Sequence, residues 1–193
     1  MPQDQYSAER KTEYKMRESR VLRTVREGNV ARILKLNTND SKVAEIFAMA
    51  QPDAIWLCNE HCSGSLESLE NQIRAAKTHD VDAIVRVARG SYNDYIRPLE
   101  MDATGLIVPH VMDLADATNV RNMTKFPPLG RRPVDGGNND ARFTRVELLD
   151  YLETANRDRF VMYQIEDPEV IPDLDAIAAL QGVDALFFGP GDM

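Results

Sequence analysis

Short apolar runs alternate with amphipathic segments of helix length along most of the chain. Six runs predict strands, at residues 30–36, 54–58, 83–87, 105–109, 160–166 and from 185 onward. The other segments predict helices at residues 15–27, 42–49, 66–77, 92–101, 113–123, 145–155 and 174–180. Near-continuous apolar strands separated by helices indicate an α/β fold whose parallel sheet is covered by helices.

The number of strands leaves two architectures open at this point. A weaker candidate strand at residues 130–133 would be the seventh, and an open doubly wound sheet satisfies either count. A (β/α)₈ barrel needs eight strands and about 250 residues. The sequence stops at Met193 directly after a strand, where a helix is due, so we expect the fold to continue past this residue.

The chain divides into a short N-terminal part and one larger unit. Residues 1–14 are polar and predict a loosely packed arm, and Gly28-Asn29 ends the charged helix that follows. We therefore assign residues 1–29 to an arm and helix, and residues 30–193 to a single domain. A composition of 43% hydrophobic and 28% charged residues is typical of a globular domain of this kind.

Charge and hydropathy exclude several classes of partner. The formal net charge of -8 argues against a nucleic-acid partner, because nucleic-acid binders concentrate lysine and arginine. No apolar run reaches the roughly 18 residues of a membrane helix, and the N-terminus is charged, which predicts a cytoplasmic protein with no membrane partner. Cys58 and Cys62 fit that compartment, and one Cys-x-x-x-Cys pair is a weak zinc motif.

Two acidic residues stand at the ends of predicted strands. Glu166 ends the run that begins at Phe160, and Asp192 follows the last run. In a parallel α/β fold the C-terminal ends of the strands meet at the face where sites are built, so these carboxylates are expected to converge. Hard cations such as Mg²⁺ prefer carboxylate oxygens. The alternative is that both are ordinary loop residues or helix caps.

Other polar residues fall at the same end of the predicted sheet. His61 follows the second strand and is a candidate general acid or base, although a lone loop histidine is more often structural. Arg86 lies inside an apolar strand and therefore needs either an internal carboxylate or a bound anion. Gly189-Pro190-Gly191 is either an open backbone that receives a carboxylate or a plain turn. His110 follows a strand and could line the pocket, whereas His79 is expected at the surface.

Six motifs follow one another along the chain, namely Asn59-Glu60-His61, Val85-Arg86-Val87, Gly105-Leu-Ile-Val-Pro109, Phe126-Pro-Pro-Leu-Gly-Arg-Arg132, Gln164-Ile-Glu166 and Gly182-Val-Asp-Ala-Leu-Phe-Phe-Gly-Pro-Gly-Asp192. In this order they resemble the HpcH/HpaI aldolases, which are metal-dependent (class II) pyruvate aldolases. The likeness runs from about Val30 to the last residue. The resemblance implies a (β/α)₈ TIM barrel, truncated here at the C-terminus, in a homo-oligomer, a hexamer whose subunits exchange a helix or a trimer.

The resemblance also implies roles for individual residues. Glu166 and Asp192 match the metal-binding carboxylates, and Gln164 lies beside them in the pocket. Arg86 matches the arginine that contacts the keto or enolate oxygen, and His61 matches the acid/base histidine. The amides of Gly191 and Asp192 match those that hold the pyruvate carboxylate. The implied cofactor is Mg²⁺ or Mn²⁺, with Co²⁺ or Zn²⁺ as substitutes, and the implied substrates are 4-hydroxy-2-oxo acids that yield pyruvate and an aldehyde.

The sequence departs from the family pattern at several positions. Cys58 stands where the family has an aspartate that orients the histidine, Glu100 replaces another aspartate, and Pro133 replaces a glycine. The loop at residues 134–142 also differs, which affects the aldehyde side of the pocket most. Two alternatives therefore remain: an acyl-CoA lyase resembling the citrate lyase β-subunit, which would need a basic groove for the CoA phosphates, and a barrel that binds 2-oxo acids without turnover.

Overall fold

The computed structural model describes residues 14–193, and the arm predicted at residues 1–14 lies almost wholly outside that range. Within it, helices and strands alternate as the apolar pattern predicts. The helices are α1 (Arg20–Arg26), α2 (Ser41–Met49), α3 (Leu66–Thr78), α4 (Tyr92–Glu100), α5 (Leu114–Thr124), α6 (Leu148–Asp158) and α7 (Leu174–Ala178). The strands are β1 (Ile33–Leu36), β2 (Ala54–Cys58), β3 (Asp82–Arg86), β4 (Gly105–Val108), β5 (Phe160–Ile165) and β6 (Ala185–Phe188).

All six strands pair in parallel and in chain order, β1 to β6. Because every crossover between parallel strands has the same hand, an unbroken sequential order places the connecting helices on one face and curls the sheet. A doubly wound sheet would instead reverse its strand order at a switch point. The described part of the chain is therefore a curled half-barrel, and the doubly wound alternative is wrong.

The prediction of a further strand at residues 130–133 is also wrong. The backbone N–H groups of Gly130 and Arg132 donate to the carbonyls of Phe126 and Lys125, at 3.0 and 2.9 Å, so this backbone closes a turn after α5. A Cβ at Gly130 would lie 2.3 Å from the carbonyl oxygen of Lys125, which shows how closely the turn is wrapped. β4 pairs directly with β5 instead.

Capping side chains move some helix boundaries from the predicted positions. α1 begins at Arg20 because the side chain of Ser19 accepts a hydrogen bond from the N–H of Leu22. α6 begins at Leu148 because Glu147 caps it in the same way. A 3₁₀ helix at Pro168–Asp173, which the sequence pattern does not predict, precedes a short α7. Among residues 14–193, no helix is long and apolar enough to cross a membrane.

The two faces of the sheet are filled by different residues. The convex face packs against the helices through one large apolar cluster that includes Ile55, Val85 and Tyr163. The concave face carries a smaller cluster of alternate strand residues and of Val21 from α1; its buried members are Val21, Ala54, Ile84, Ile107 and Phe160. Ala54 and Phe160 lie at the N-terminal ends of their strands, whereas Ile107 pairs with Arg86 near the C-terminal ends.

Helix α1 is fixed at the N-terminal end of the sheet by the start of β3. Asp82 is fully buried, and one of its carboxylate oxygens accepts hydrogen bonds from the Ser19 hydroxyl and the Val21 N–H, each at 2.9 Å. Arg17 lies 3.0 Å from the other oxygen of this carboxylate. The helix within residues 1–29 is thus held against the sheet by a buried carboxylate. The polar residues of the concave face lie at the other end of the sheet, where the strands have their C-terminal ends.

The long connection between α5 and α6 is held by a buried polar network. Arg132 and Tyr151 both donate to the same oxygen of Asp140, each at 2.7 Å, and all three residues are at most 2% exposed. The Arg132 guanidinium also lies 4.5 Å from the centroid of the Phe126 ring. The arginine that ends the Pro-Pro-Leu-Gly-Arg-Arg motif therefore anchors this loop.

Candidate active site

The concave face becomes polar at the C-terminal ends of β2, β3 and β5. Side chains alternate along a strand, so Cys58 lies on the same face as Ala54, and Arg86 on the same face as Ile84. By the same alternation Gln164 and Glu166 follow Phe160 on the inner side of β5. These four polar residues are at most 7% exposed. These four side chains therefore share one end of the parallel sheet.

Arg86 has an internal anionic partner. Its Nε lies 2.9 Å from Oε2 of Glu60, and the two atoms form an ion pair without the alignment of a hydrogen bond. Its Nη2 donates to Sγ of Cys58 at 3.2 Å, and the guanidinium lies 5.2 Å from the centroid of the Trp56 ring. Of the two partners that the sequence left open, the structure therefore supplies the carboxylate, and it comes from the Asn59-Glu60-His61 motif.

Cys58 occupies an environment that favours negative charge. Burial raises the pKa of its thiol, but hydrogen bonds from the His61 N–H and the Arg86 guanidinium lower it more, so the pKa lies below its ordinary value. The pKa of Cys62 is raised, first by burial and then by the neighbouring Cys58. The sulfur of Cys58 thus accepts hydrogen bonds from both the Arg86 guanidinium and the His61 N–H.

Glu166 is a buried carboxylate with few partners. It is 2% exposed, its Oε1 accepts a hydrogen bond from the backbone N–H of His110 at 2.8 Å, and its Oε2 accepts one from Nε2 of Gln164. Within residues 14–193 no lysine or arginine forms an ion pair with it. Burying a carboxylate costs free energy unless a positive charge compensates it. The environment of Glu166 therefore fits a cation.

Two further observations next to Glu166 agree with that fit. Oε1 of Gln164 is buried and has no hydrogen-bond partner among the described residues. A Cβ at Gly189 would lie 3.1 Å from Nε2 of Gln164 and 3.2 Å from Oε2 of Glu166, so the glycine leaves room at these two side chains. An oxygen-rich cradle of this type suits Mg²⁺ or Mn²⁺.

His110, which the sequence analysis named only as a residue that could line the pocket, lies against the same carboxylate. Its Nδ1 is 3.0 Å from Oδ2 of Asp167 and 3.6 Å from Oε1 of Glu166, and its Nε2 is 3.9 Å from Oε1 of Glu60. Burial lowers the pKa of His110, but the hydrogen bond to Asp167 and the nearby carboxylates raise it above its ordinary value. The signal that could have found this cluster is its position, since His110 and Asp167 follow the ends of β4 and β5.

His61 lies at the rim of the site. Its side chain is 69% exposed, and Nε2 is 3.5 Å from Oε2 of Glu60. Its backbone N–H donates to Sγ of Cys58 at 3.4 Å, which fixes the start of the loop after β2. Glu60 is therefore shared by His61, Arg86 and His110. His79 pairs with Glu45 at 3.5 Å instead, away from the other two histidines.

The last predicted site residues lie beyond β6. The N–H of Gly189 donates to the carbonyl of Ile165 at 2.9 Å, which brings the Gly-Pro-Gly turn beside the end of β5. Gly191 and Asp192 are exposed, and within residues 14–193 no hydrogen bond or ion pair joins Asp192 to Glu166. Their roles as pyruvate-binding amides, and that of Asp192 as a metal ligand, stay predictions.

Comparison with known proteins shows a family match over most of this chain. Residues 33–193 match the family model described as HpcH/HpaI aldolase/citrate lyase. The chain is 31% identical over 170 residues to the 2-keto-3-deoxy-L-rhamnonate aldolase of Salmonella gallinarum, which covers 88% of this chain and 63% of the relative. The corresponding aldolase of Klebsiella pneumoniae is 31% identical over 161 residues, or 83% of this chain and 60% of the relative. The chain thus spans less than two thirds of the length of these relatives.

Solved structures give the same result for the fold. The HpcH/HpaI aldolase of Desulfitobacterium hafniense DCB-2 superposes with a TM-score of 0.82 at 28% identity, over 89% of this chain and 66% of that chain. A citrate synthase, SbnG, superposes with a TM-score of 0.79 at 29% identity, over 89% of this chain and 65% of that chain. From the family match over most of its length, we conclude that the chain belongs to the HpcH/HpaI aldolase/citrate lyase family.

Proposed function

We propose that this protein is a divalent-metal-dependent aldolase that cleaves 4-hydroxy-2-oxo acids to pyruvate and an aldehyde. The observation that carries the proposal is the buried carboxylate of Glu166, which has no lysine or arginine partner within residues 14–193 and lies beside the unpaired oxygen of Gln164. Arg86 supplies a fixed positive charge on the same concave face. The family membership supports an aldolase, and the relatives named above are aldolases of a keto-deoxy acid.

Glu166 and Asp192 are the residues that we propose to hold the cation, with Gln164 beside them. When bound, a divalent cation chelated by the 2-oxo acid supplies Lewis-acid stabilisation of the negative charge on the substrate's oxygen. Mg²⁺ or Mn²⁺ suits carboxylate ligands best, and Co²⁺ or Zn²⁺ can replace them. The amides of Gly191 and Asp192 are the proposed donors to the pyruvate carboxylate.

Arg86 and His61 carry the remaining steps of the proposed reaction. His61 accepts the proton of the 4-hydroxyl group, the bond between C3 and C4 breaks, and the aldehyde leaves while its bonding electrons form the enolate of pyruvate. Arg86 stabilises the oxygen on which this charge develops, because its guanidinium is already held by Glu60 and Cys58 and does not reorganise during the reaction. Return of this proton from His61 to C3 of the enolate then gives pyruvate.

We extend the proposal to the whole protein. Residues 30–193 would form the catalytic domain, whose six strands belong to a (β/α)₈ barrel, and the barrels would assemble into a homo-oligomer, a hexamer or a trimer. Sedimentation analysis of the purified protein tests the assembly directly. A stable monomer at working concentration would contradict the oligomer without touching the proposed chemistry.

An assay that couples pyruvate release to lactate dehydrogenase tests the activity. A panel of 4-hydroxy-2-oxo acids is offered to the protein with Mg²⁺ or Mn²⁺, and again with EDTA. We expect pyruvate only where the divalent cation is present, and we expect Glu166→Gln and Asp192→Asn to lose cation binding and activity together. Binding of pyruvate or oxalate without any metal-dependent pyruvate release would favour the non-catalytic alternative. Full activity in either variant would refute the assigned metal ligands.

A further inference from the structure

We propose that His110 and Asp167 bind the divalent cation together with Glu166, so that the metal centre is a mixed nitrogen and oxygen site. The three residues follow two neighbouring parallel strands, His110 after β4 and the two acidic residues after β5. This ligand set rests on the proposed function in one respect, namely that a cation occupies the site beside Glu166. It goes further, because it assigns a metal-binding role to two residues outside the expected pair of Glu166 and Asp192.

The three donor atoms lie close enough together for one ion to reach them once the side chains adjust. Nδ1 of His110 lies 3.0 Å from Oδ2 of Asp167 and 3.6 Å from Oε1 of Glu166. One donor atom from each residue can be chosen so that all three lie within 4.8 Å of one another. Two atoms bound at right angles about 2.1 Å from one ion are about 3.0 Å apart. A single ion can therefore contact all three with only small side-chain movements.

The backbone fixes the histidine against the acidic pair. His110 has a φ of 50°, which is uncommon for residues other than glycine but is tolerated by histidine, asparagine and aspartate. In this conformation its N–H donates to Oε1 of Glu166 at 2.8 Å, so main chain and side chain of one residue contact the same carboxylate. Such a conformation persists where surrounding contacts hold it, and functional sites are where it is most often found.

A separate observation on the other side of Glu166 also points to a bound cation. Gln164 is 5% exposed, its Nε2 donates to Oε2 of Glu166, and its Oε1 has no partner within the described residues. A buried carbonyl oxygen without a donor destabilises the fold unless something else pairs with it. A cation at Glu166, or water bound to that cation, provides the missing interaction.

The ligand set predicts which metal ions bind best. Imidazole suits Fe²⁺, Ni²⁺, Cu²⁺ and Zn²⁺, and divalent affinity generally rises from Mn²⁺ through Co²⁺ to Cu²⁺, whereas Mg²⁺ prefers oxygen ligands. A site with His110 should therefore bind Co²⁺ and Zn²⁺ more tightly than Mg²⁺, and Mn²⁺ is the useful probe because it is paramagnetic. Glu60 lies near the far side of the ring, with Oε1 3.9 Å from Nε2 of His110, and can hold the imidazole in place.

Pulsed electron paramagnetic resonance of the 193-residue protein with Mn²⁺ alone tests the ligand set. We expect modulation from a coordinated ¹⁴N nucleus, which changes to the ¹⁵N pattern when the histidines carry ¹⁵N. His110→Asn should abolish this modulation and raise the Kd for Mn²⁺ at least about tenfold, and asparagine tolerates the positive φ of this position. The matched control is His79→Asn, which changes a histidine paired with Glu45 and should leave both readouts unchanged.

Asp167→Asn provides a second variant if His110→Asn does not fold. It should weaken Mn²⁺ binding while the nitrogen modulation remains. Nitrogen modulation that survives in folded His110→Asn, or Mn²⁺ binding through Glu166 with no nitrogen modulation in the wild type, would overturn the proposal. The pyruvate assay distinguishes failure of the ligand set from failure of the proposed aldolase activity. Metal-dependent activity with no histidine ligand would refute only the ligand set. Nitrogen coordination without pyruvate release would refute only the aldolase activity.

Discussion

Nε of Arg86 lies 2.9 Å from Oε2 of Glu60, and this contact joins the end of β3 to the loop after β2. Both side chains are largely buried, at 7% and 14% exposure. Arg86 also donates to Cys58, which lies two residues before Glu60. The loop that begins at Cys58 therefore holds the guanidinium at two points, and the same carboxylate oxygen lies 3.5 Å from Nε2 of His61.

Glu60→Gln should lower kcat for pyruvate formation by about 10- to 100-fold, as for other residues that position a catalytic group. The amide keeps the size of the side chain but loses the charge that orients Arg86, so the effect on KM and on Mn²⁺ affinity should be smaller. Steady-state kinetics measure kcat and KM, and a Mn²⁺ titration of the same variant measures the affinity for the cation. Glu67→Gln, on the exposed first turn of α3, is the matched control. An unchanged kcat would mean that Cys58 alone suffices to hold Arg86.

Arg86→Lys should lower turnover while Mn²⁺ affinity stays nearly intact. Lysine keeps the positive charge but cannot contact Glu60 and Cys58 at once with separate nitrogens of one planar group, as the guanidinium does. Kinetics and a metal titration on the same preparation measure both quantities. If the variant loses metal binding and turnover in equal proportion, Arg86 has a structural role instead.

Gly189→Ala should weaken the proposed cation site about tenfold with little loss of stability. The new Cβ would lie 3.1 Å from Gln164 and 3.2 Å from Glu166, so both side chains must shift from the positions that suit a cation. Titration with Mn²⁺ and urea denaturation separate the effects on binding and folding. Gly136→Ala is the control, because the first atom its Cβ meets is 4.0 Å away, on Thr144. Equal Mn²⁺ affinity in the two variants would show that no cation lies beside Gly189.

The parts of this fold that follow from hydrophobic pattern were predictable, and those that follow from specific partners were not. Six apolar runs gave six parallel strands, and their common direction placed Arg86 and Glu166 at one end of the sheet. The pattern could not choose between a curled and a doubly wound sheet, because strand order depends on which neighbours pair. It also predicted a strand at residues 130–133, where the backbone is instead used to close a turn after α5.

The sequence predicted where the site lies, but not which residues contact one another there. An arginine in an apolar strand signals that an anion is near, yet only the folded chain shows that Glu60 and Cys58 supply the contacts. His110 was predicted only as a residue that could line the pocket, because its contacts depend on a positive φ and on Asp167, which follows the next strand of the sheet. His61 was expected beside the reacting atoms, and its exposed rim position leaves its catalytic role a prediction.

Stability should depend on a buried acid outside the site. Asp102 is 2% exposed, one of its oxygens accepts a hydrogen bond from Arg159 at 2.7 Å, and the other pairs with Lys77. Burial raises the pKa of Asp102, but these two cations lower it to a value below the ordinary range. A carboxyl group whose pKa is lower in the folded state than in the unfolded chain contributes stability above its unfolded pKa. That contribution is lost as the pH falls through the folded value.

Asp102→Asn should therefore lower the free energy of unfolding at pH 7 by about 3–5 kcal/mol, because it leaves two cations without their shared partner. Asparagine accepts the φ of 72° at this position, so backbone strain adds little. Urea denaturation at pH 7, 5, 4 and 3 measures the difference from the wild type. The difference in the free energy of unfolding between the wild type and this variant should narrow below about pH 4, where the unfolded chain takes up a proton. Asp80→Asn, at an exposed aspartate whose φ is also positive, should stay within about 0.5 kcal/mol at every pH. A gap for Asp102→Asn that stays constant from pH 7 to 3 would show that the carboxylate's charge does not stabilise the fold.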